Sequence, residues 1–330
     1  MRKCSTKQSF GMKQSTKFAI ISEVRRCIMF RLYGALIGLS LIWGLSFVFM
    51  KWLLPSAGIW GIVFFRCLAG AIILLPFLWW RRREVKGKLP WKALIVVGIF
   101  NCGLAWGLIS LSETEINSTT ASILNATTPI WTGLIGFILF SYRLTGRQWI
   151  GILIGFFGIL VLMNFQFGQL FGKGFVGIGT MLIACICYGL AGQLTKRFLS
   201  EVGVLTITTF TLLTGAVIGL VGMLITEPFK PDLLIHPLPI LAIVGLGCFG
   251  SGLGQLIYFY INKNGGPELA ATVTYLIPAS AMVWGYLLLG ETITPNVIVG
   301  LLIIFAGVYL SSRKSKGKTP HVTLVSNKQN

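Results

Sequence analysis

Residues 32–80 read LYGALIGLSLIWGLSFVFMKWLLPSAGIWGIVFFRCLAGAIILLPFLWW, and this stretch decides the fold. It holds two apolar runs, 32–50 and 57–80, separated by Lys51 and Pro55 and followed at once by Arg81, Arg82 and Arg83. About 20 apolar residues in a helix are enough to cross the hydrocarbon core of a bilayer. Runs of that length, flanked by basic residues and by Trp79 and Trp80, predict transmembrane helices with their charged and amphipathic ends at the interface.

The same pattern recurs along the chain near 93–111, 117–140, 148–164, 175–195, 203–225, 238–260, 268–289 and 293–312. Composition agrees, with 55% hydrophobic and 11% charged residues and a mean hydropathy of +0.81. A soluble domain of 330 residues needs far more charge to cover its surface. The 40 glycines and 23 phenylalanines also suit helices packed in lipid. The expectation is an all-α integral membrane protein of ten transmembrane helices. No small-residue cleavage site follows the first run, which therefore reads as a retained helix.

A net charge of +19 on a soluble face would point to nucleic acid. Here the basic residues sit in the gaps between apolar runs, so they report topology and nucleic acid is not an expected partner. With the N-terminus inside, the inner segments hold the cluster from Arg2 to Arg31, that from Arg81 to Lys92, Arg143, Arg147, Lys196, Arg197, Lys263, and the tail from Arg313 to Lys318. The outer segments hold Lys51, Lys173 and Lys230. This asymmetry predicts that both termini are cytoplasmic. Glu113, Glu115, Glu227, Asp232 and Glu291 then fall in outer segments, and no acid stands at the centre of a run. Residues 1–31 and 313–330 read as basic cytoplasmic tails. Met29 is an alternative start, which leaves open whether residues 1–28 belong to the native chain.

An internal repeat organises the runs. Trp43-Gly44-Leu45 with Lys51 recurs as Tyr188-Gly189-Leu190 with Lys196, and Phe65 with Gly70 recurs as Phe210 with Gly215, all at an offset of 145. Further on, Ala121 and Pro129 match Ala270 and Pro278, while Thr145, Gly151 and Gly158 match Thr294, Gly300 and Gly307, at an offset of 149. Five runs per half is an odd number, so the second half is expected upside down relative to the first. Two inverted five-helix repeats are the architecture of many secondary transporters.

Over roughly residues 32–312 the sequence resembles the EamA-type branch of the drug/metabolite transporter superfamily. The resemblance rests on Trp43-Gly44, Phe65-Arg66 with Ala69, Ala121 to Pro129, and Gly290-Glu291 with Thr294, Gly300 and Gly307. The first half departs from the pattern, with Ser141-Tyr142 where Gly-Glu is expected. The resemblance implies two EamA-like repeats, 32–164 and 175–312, and a secondary transporter that exports or takes up small metabolites such as amino acids. The membrane implied is the cytoplasmic membrane of a bacterium. A membrane-embedded enzyme or a scaffold without transport activity is the alternative.

Arg66 is the most informative side chain. It lies about ten residues into its run and so roughly 15 Å deep, near the bilayer centre. An arginine there costs roughly 2.5–3.5 kcal/mol on insertion scales, so it must face the interior or a wet cavity. Two readings follow: it binds an anionic or zwitterionic substrate, or it ties its helix to neighbouring polar groups. Asn101, Asn125, Thr127, Thr128, Gln255, Thr272, Thr274 and Tyr275 are polar positions within corresponding runs of the two halves, and Trp43, Trp106, Trp131, Tyr188 and Tyr258 offer aromatic walls. The candidate substrate-binding set is thus Arg66, Trp43, Asn101, Asn125, Tyr188, Gln255 and Tyr275. Pro129 and Pro278 are candidate helix-bending positions. Glu268 beside Pro267 reads as a helix-start residue, with a proton site as its other reading. The lack of a central carboxylate argues against exchange of protons for cationic drugs.

The seven cysteines include no CxxC and predict packing residues or free thiols, and neither a metal nor a cofactor is expected. His236 and His321 stand in a loop and a tail, and no GxxxxGK[ST] loop is present, so an enzyme or an ATP-driven pump is not indicated. The expected partners are the lipid bilayer, a small-molecule substrate and a candidate second copy of the chain.

Overall fold

The computed structural model of the protein describes residues 14–81, 89–141, 145–162, 175–226 and 235–312. The terminal tails and several loop residues read from the sequence (Arg82, Arg83, Tyr142, Lys173, Glu227, Lys230 and Asp232) lie outside the described residues. Among those described, every regular element is a helix: α1 (Gln14–Trp80), α2 (Trp91–Glu115), α3 (Ser118–Phe140), α4 (Gly146–Leu162), α5 (Phe175–Phe198), α6 (Val204–Thr226), α7 (Pro237–Gly265), α8 (Leu269–Leu289) and α9 (Pro295–Ser312). Seven are long and apolar enough to cross a membrane, while α4 has 17 residues and α9 contributes the shorter apolar stretch Pro295–Gly307.

The break between the first two apolar runs falls later than the sequence suggests. Helix α1 continues through Lys51 and Pro55 and turns at Gly58, with φ 67° and ψ −172°. That backbone conformation is essentially confined to glycine. Helix α1 therefore has two arms, and the bend sits at the residue able to make it.

Other departures from regular helix are local. Helix α3 is interrupted at Ala126 and Thr127, and Pro129 opens the segment that follows, where its missing N–H is no loss. In α8 the interruption falls at Thr272, and Pro278 stands inside the segment Val273–Trp284. Helices α2 and α7 carry wider π-helical stretches, Ile99–Leu104 and Gly245–Leu253. Such stretches occur frequently at functional sites. Helix α3 ends on Ser141 at φ 56°, and α8 ends on Gly290 at φ 67°. A side chain in this left-handed conformation costs about 1–2 kcal/mol, against the greater unfolded-state freedom of glycine. Ser141→Gly is therefore expected to stabilise the protein by about 0.5 kcal/mol, read as a small rise in Tm in detergent.

The surface is apolar and the interior partly polar. Ile37, Leu41, Ile138, Leu153, Leu224 and Ile225 are exposed, while Arg66, Asn101, Gln193 and Gln255 are buried. Buried Thr208, Thr209 and Thr211 of α6 donate to carbonyls one turn back, Thr208 Oγ1 to Val204 O at 2.9 Å, Thr209 Oγ1 to Leu205 O at 2.8 Å and Thr211 Oγ1 to Ile207 O at 2.9 Å. A side chain that can satisfy its hydroxyl within its own helix can be buried in an apolar bundle at little cost. This arrangement, with seven membrane-length helices, is that of a multi-pass membrane protein.

Glycines set the closest helix crossings, and they do so in matched pairs. A Cβ on Gly44 of α1 would strike Ser280 and Ala281 of α8, and one on Gly189 of α5 would lie 2.9 Å from Thr132 N of α3. A Cβ on Gly70 of α1 would lie 2.9 Å from Gly247 O of α7, and one on Gly215 of α6 would lie 2.8 Å from Cys102 Cβ of α2. Gly44 and Gly189 are separated by the same 145 positions as Cys102 and Gly247, and Thr132 and Ala281 by 149. The contacts thus follow the duplicated register, each joining one half of the sequence to the other. Helices α4 and α9 pair along their length, with Gly307 seated on the backbone of Gly151 and Gly155.

Candidate functional site

The second arm of α1 buries Ile62, Val63, Cys67, Ala71 and Leu74, a stripe at helical spacing, and Arg66 lies on that face with 3% exposure. Its Nε donates to Ser251 Oγ of α7 at 3.1 Å, and Nη1 points to Met50 Sδ at 3.4 Å. The guanidinium carbon stands 3.7 Å from the centroid of the Trp106 ring, so the charge rests on the negative face of the indole. Among the described residues its hydrogen-bond partners are a hydroxyl and a thioether, both neutral.

The glycine-rich π-helical stretch of α7 lies against both arms of α1. Cβ atoms would strike Phe49 at Gly245, Ser46 at Gly250 and Ala69 at Gly247. This close approach exposes backbone: Trp43 Nε1 donates to Gly250 O at 3.0 Å. The Trp43 ring also meets Tyr258 of α7 at 5.5 Å between centroids. The Trp-Gly pair of the sequence motif thus divides its work, tryptophan toward α7 and glycine toward α8.

One turn beyond Ser251, Gln255 Oε1 accepts from Asn101 Nδ2 at 2.9 Å. Both residues are fully buried, and Asn101 Oδ1 and Gln255 Nε2 have no partner among the described residues. A free acceptor and a free donor thus remain side by side, about 6 Å along α7 from the serine that holds Arg66. Tyr188 of α5 packs against the core cluster that includes Met50, Cys67 and Trp106. Five of the seven candidate residues, Arg66, Trp43, Asn101, Tyr188 and Gln255, therefore come from α1, α2, α5 and α7 to one buried centre.

The other two do not join it in the described structure. Asn125 belongs to the α3–α5 contact, where its carbonyl accepts from Thr128 Oγ1 at 2.7 Å and lies 3.9 Å from Cys185 Sγ. The Tyr275 and Glu268 side chains lie outside the described residues. Among the described residues no group of three or more His, Cys, Asp or Glu side chains is arranged to hold a metal. A separate groove of about 980 Å³ lies between the end of α1 and the start of α6, with Arg81, Glu201 and Lys263 at its rim. Arg66 and its neighbours do not line it.

One acid is not where its sequence position suggests. Glu113 is not in an outer loop but in the last turn of α2, with 1% exposure. Lys51 Nζ donates to Glu113 O at 2.5 Å and to Ile116 O at 2.9 Å, so a cation caps the carbonyl end of α2. Glu291 performs the opposite service at the start of α3. It accepts from Ser118 N and Thr119 N at 3.2 Å, from Ser118 Oγ at 2.5 Å, and from the Thr119 hydroxyl.

This buried arginine centre within a helical bundle can be set beside known proteins. The sequence profile of the EamA-like transporter family matches twice, over residues 31–164 and 175–313. The chain belongs to the EamA-like transporter family. Among similar proteins, this EamA-like chain is 29% identical over 290 residues to the uncharacterized inner membrane transporter YedA of Escherichia coli, covering 86% of this chain and 91% of that one. It is 23% identical over 288 residues to the uncharacterized transporter YoaV of Bacillus subtilis, covering 86% of this chain and 97% of that protein. A solved crystal structure superposes with a TM-score of 0.67 at 16% identity, over 87% of this chain and 98% of that one, which shows a shared fold.

Proposed function

We propose that this protein is a secondary transporter of small anionic or zwitterionic metabolites, amino acids foremost, working by alternating access. Ten crossings in two inverted halves, residues 32–164 and 175–312, give it that capacity, with both termini in the cytoplasm. The two matches to the family profile support the halves, as do the paired glycine contacts that join them in register. The bend at Gly58 supports counting α1 as two crossings. The positive charge of the segments assigned inside supports the orientation.

The observation that carries the substrate class is Arg66, buried at 3% exposure with neutral hydrogen-bond partners beside an unpartnered amide pair. A guanidinium and Gln255 Nε2 suit a carboxylate, and Asn101 Oδ1 suits an ammonium group. Trp43, Trp106 and Tyr258 supply the apolar enclosure that small-molecule sites need. The helices contributing these groups come from both sequence halves, which is where an inverted-repeat transporter holds its cargo.

Counterflow into proteoliposomes loaded with each unlabelled amino acid tests the proposal. At least one radiolabelled amino acid is expected to accumulate above protein-free vesicles. Accumulation of none of them would remove amino acids from the substrate class.

A further inference from the structure

Glu113 is a buried ionisable group that this site does not use. Neither of its carboxylate oxygens has a hydrogen-bond partner among the described residues. Lys51 donates to the main-chain carbonyls of Glu113 and Ile116 and not to the carboxylate. The groups acting on the carboxyl through space are Lys51 and Arg66 of α1 and Glu291 from the turn after α8. On its own helix Glu115 is exposed, and α5 presents Gly177 to this turn of α2. An ionised carboxylate removed from water and given no donor is costly, whereas a neutral carboxylic acid fits such surroundings far better.

Its position links it to the arginine centre. Trp106, Ser110 and Glu113 stand at i, i+4 and i+7, so they share one face of α2 over about 10 Å. Arg66 rests on Trp106 at one end of this face. Midway, Ser110 Oγ approaches Met50 Sδ at 4.0 Å, and the same sulfur takes Arg66 Nη1 at 3.4 Å. The far end is the α2–α3 turn, where Thr114, Glu115 and Asn117 are exposed.

We infer that Glu113 is a proton-binding site, loaded while Lys51 latches α1 onto the end of α2 and emptied when that end opens to water. The exchange is a carboxylate taking one proton from water and returning it. As a proton site it stands on the geometry of Glu113 alone; as a coupling site it rests on the transport reading above. Movement of cargo through the Arg66 centre then carries a proton in the same cycle.

Infrared spectra of the full chain in lipid films, recorded from acid to alkaline pH, test the site. The wild type is expected to show a protonated-carboxyl C=O band at neutral pH that Glu113→Gln lacks and that Glu291→Gln and Glu113→Asp retain. Identical bands in the wild type and Glu113→Gln, or a Glu113 carboxylate band at neutral pH, would overturn it. Proteoliposomes carrying an internal pH dye and challenged with the twenty amino acids test the coupling. The wild type is expected to shift the internal pH and Glu113→Gln to lose that shift. Amino-acid movement without a pH change overturns the coupling. No amino-acid movement at all, with the infrared band present, overturns the proposed function and leaves the proton site standing.

Discussion

Arg66→Ala is expected to lower amino-acid counterflow by about 10- to 150-fold, because a hydrogen bond to a charged group contributes about 1.5–3 kcal/mol. The side chain is buried, stacked on Trp106 and tied to α7 through Ser251, so it is already held in place before cargo arrives. Such preorganisation is what lets one cation contribute its full interaction with a carboxylate. Arg66→Lys is expected to restore little, since an ammonium has neither the planar fork nor the stacking face of guanidinium. Size-exclusion profiles of detergent-solubilised variants separate lost binding from lost folding. Wild-type counterflow by well-folded Arg66→Ala would assign the arginine to the α1–α7 tie alone.

The largest effect on folding is expected at the α4–α9 crossing. A Cβ on Gly307 would lie 2.6 Å from Gly155 N and 2.7 Å from Gly151 O, and these are backbone atoms that cannot rotate aside. Gly307→Val must therefore push the two helices apart along their contact. Overpacking typically costs about 1–3 kcal/mol even where side chains can adjust. Here the loss includes dispersion contacts and interhelical packing that lipid does not replace. Gly307→Val is expected to lose the monodisperse peak after detergent extraction. Gly34→Val, at a position where a Cβ meets nothing within 4 Å, is expected to keep it. Equal behaviour of the two variants would show that α4 and α9 do not depend on this approach.

How much of this was legible in the sequence depends on the range of the interaction. Helix positions were, because a run of apolar residues is a local property and lipid reads it directly. Arg66 was legible for the same reason, as a charge in the middle of such a run. Trp43 and Tyr188 were found through the repeat, which places them at equivalent points. Glu113 was not legible. Near Glu115 and the end of an apolar run, it looks like an interface residue, and the helices packed against that part of α2, α1 and α5, are not its neighbours along this run. The Asn101–Gln255 pair was readable as two polar positions but not as a contact, since 154 residues separate them. The break between the first two runs lies at Gly58, just past the gap between residues 50 and 57, because the unusual dihedral angles fall to that glycine.

Glu291 on the start of α3 has a consequence for how the molecule rests. In the proposed duplicated register its counterpart is Tyr142, so the first half has no carboxylate to fasten the start of α8 in the same way. One end of the bundle thus carries two ties that cross between distant segments, Lys51 on α2 and Glu291 on α3. Charge-assisted hydrogen bonds contribute about 1.5–3 kcal/mol each, and every 1.4 kcal/mol shifts a two-state population about tenfold. In the proposed alternating-access cycle an unloaded molecule is then expected to favour the state that keeps this end fastened, with cargo supplying the difference before it parts. On that proposal, placing Gly-Glu at positions 141 and 142 is expected to bring the two populations closer together, so that the difference between the halves at this one position sets where the cycle rests.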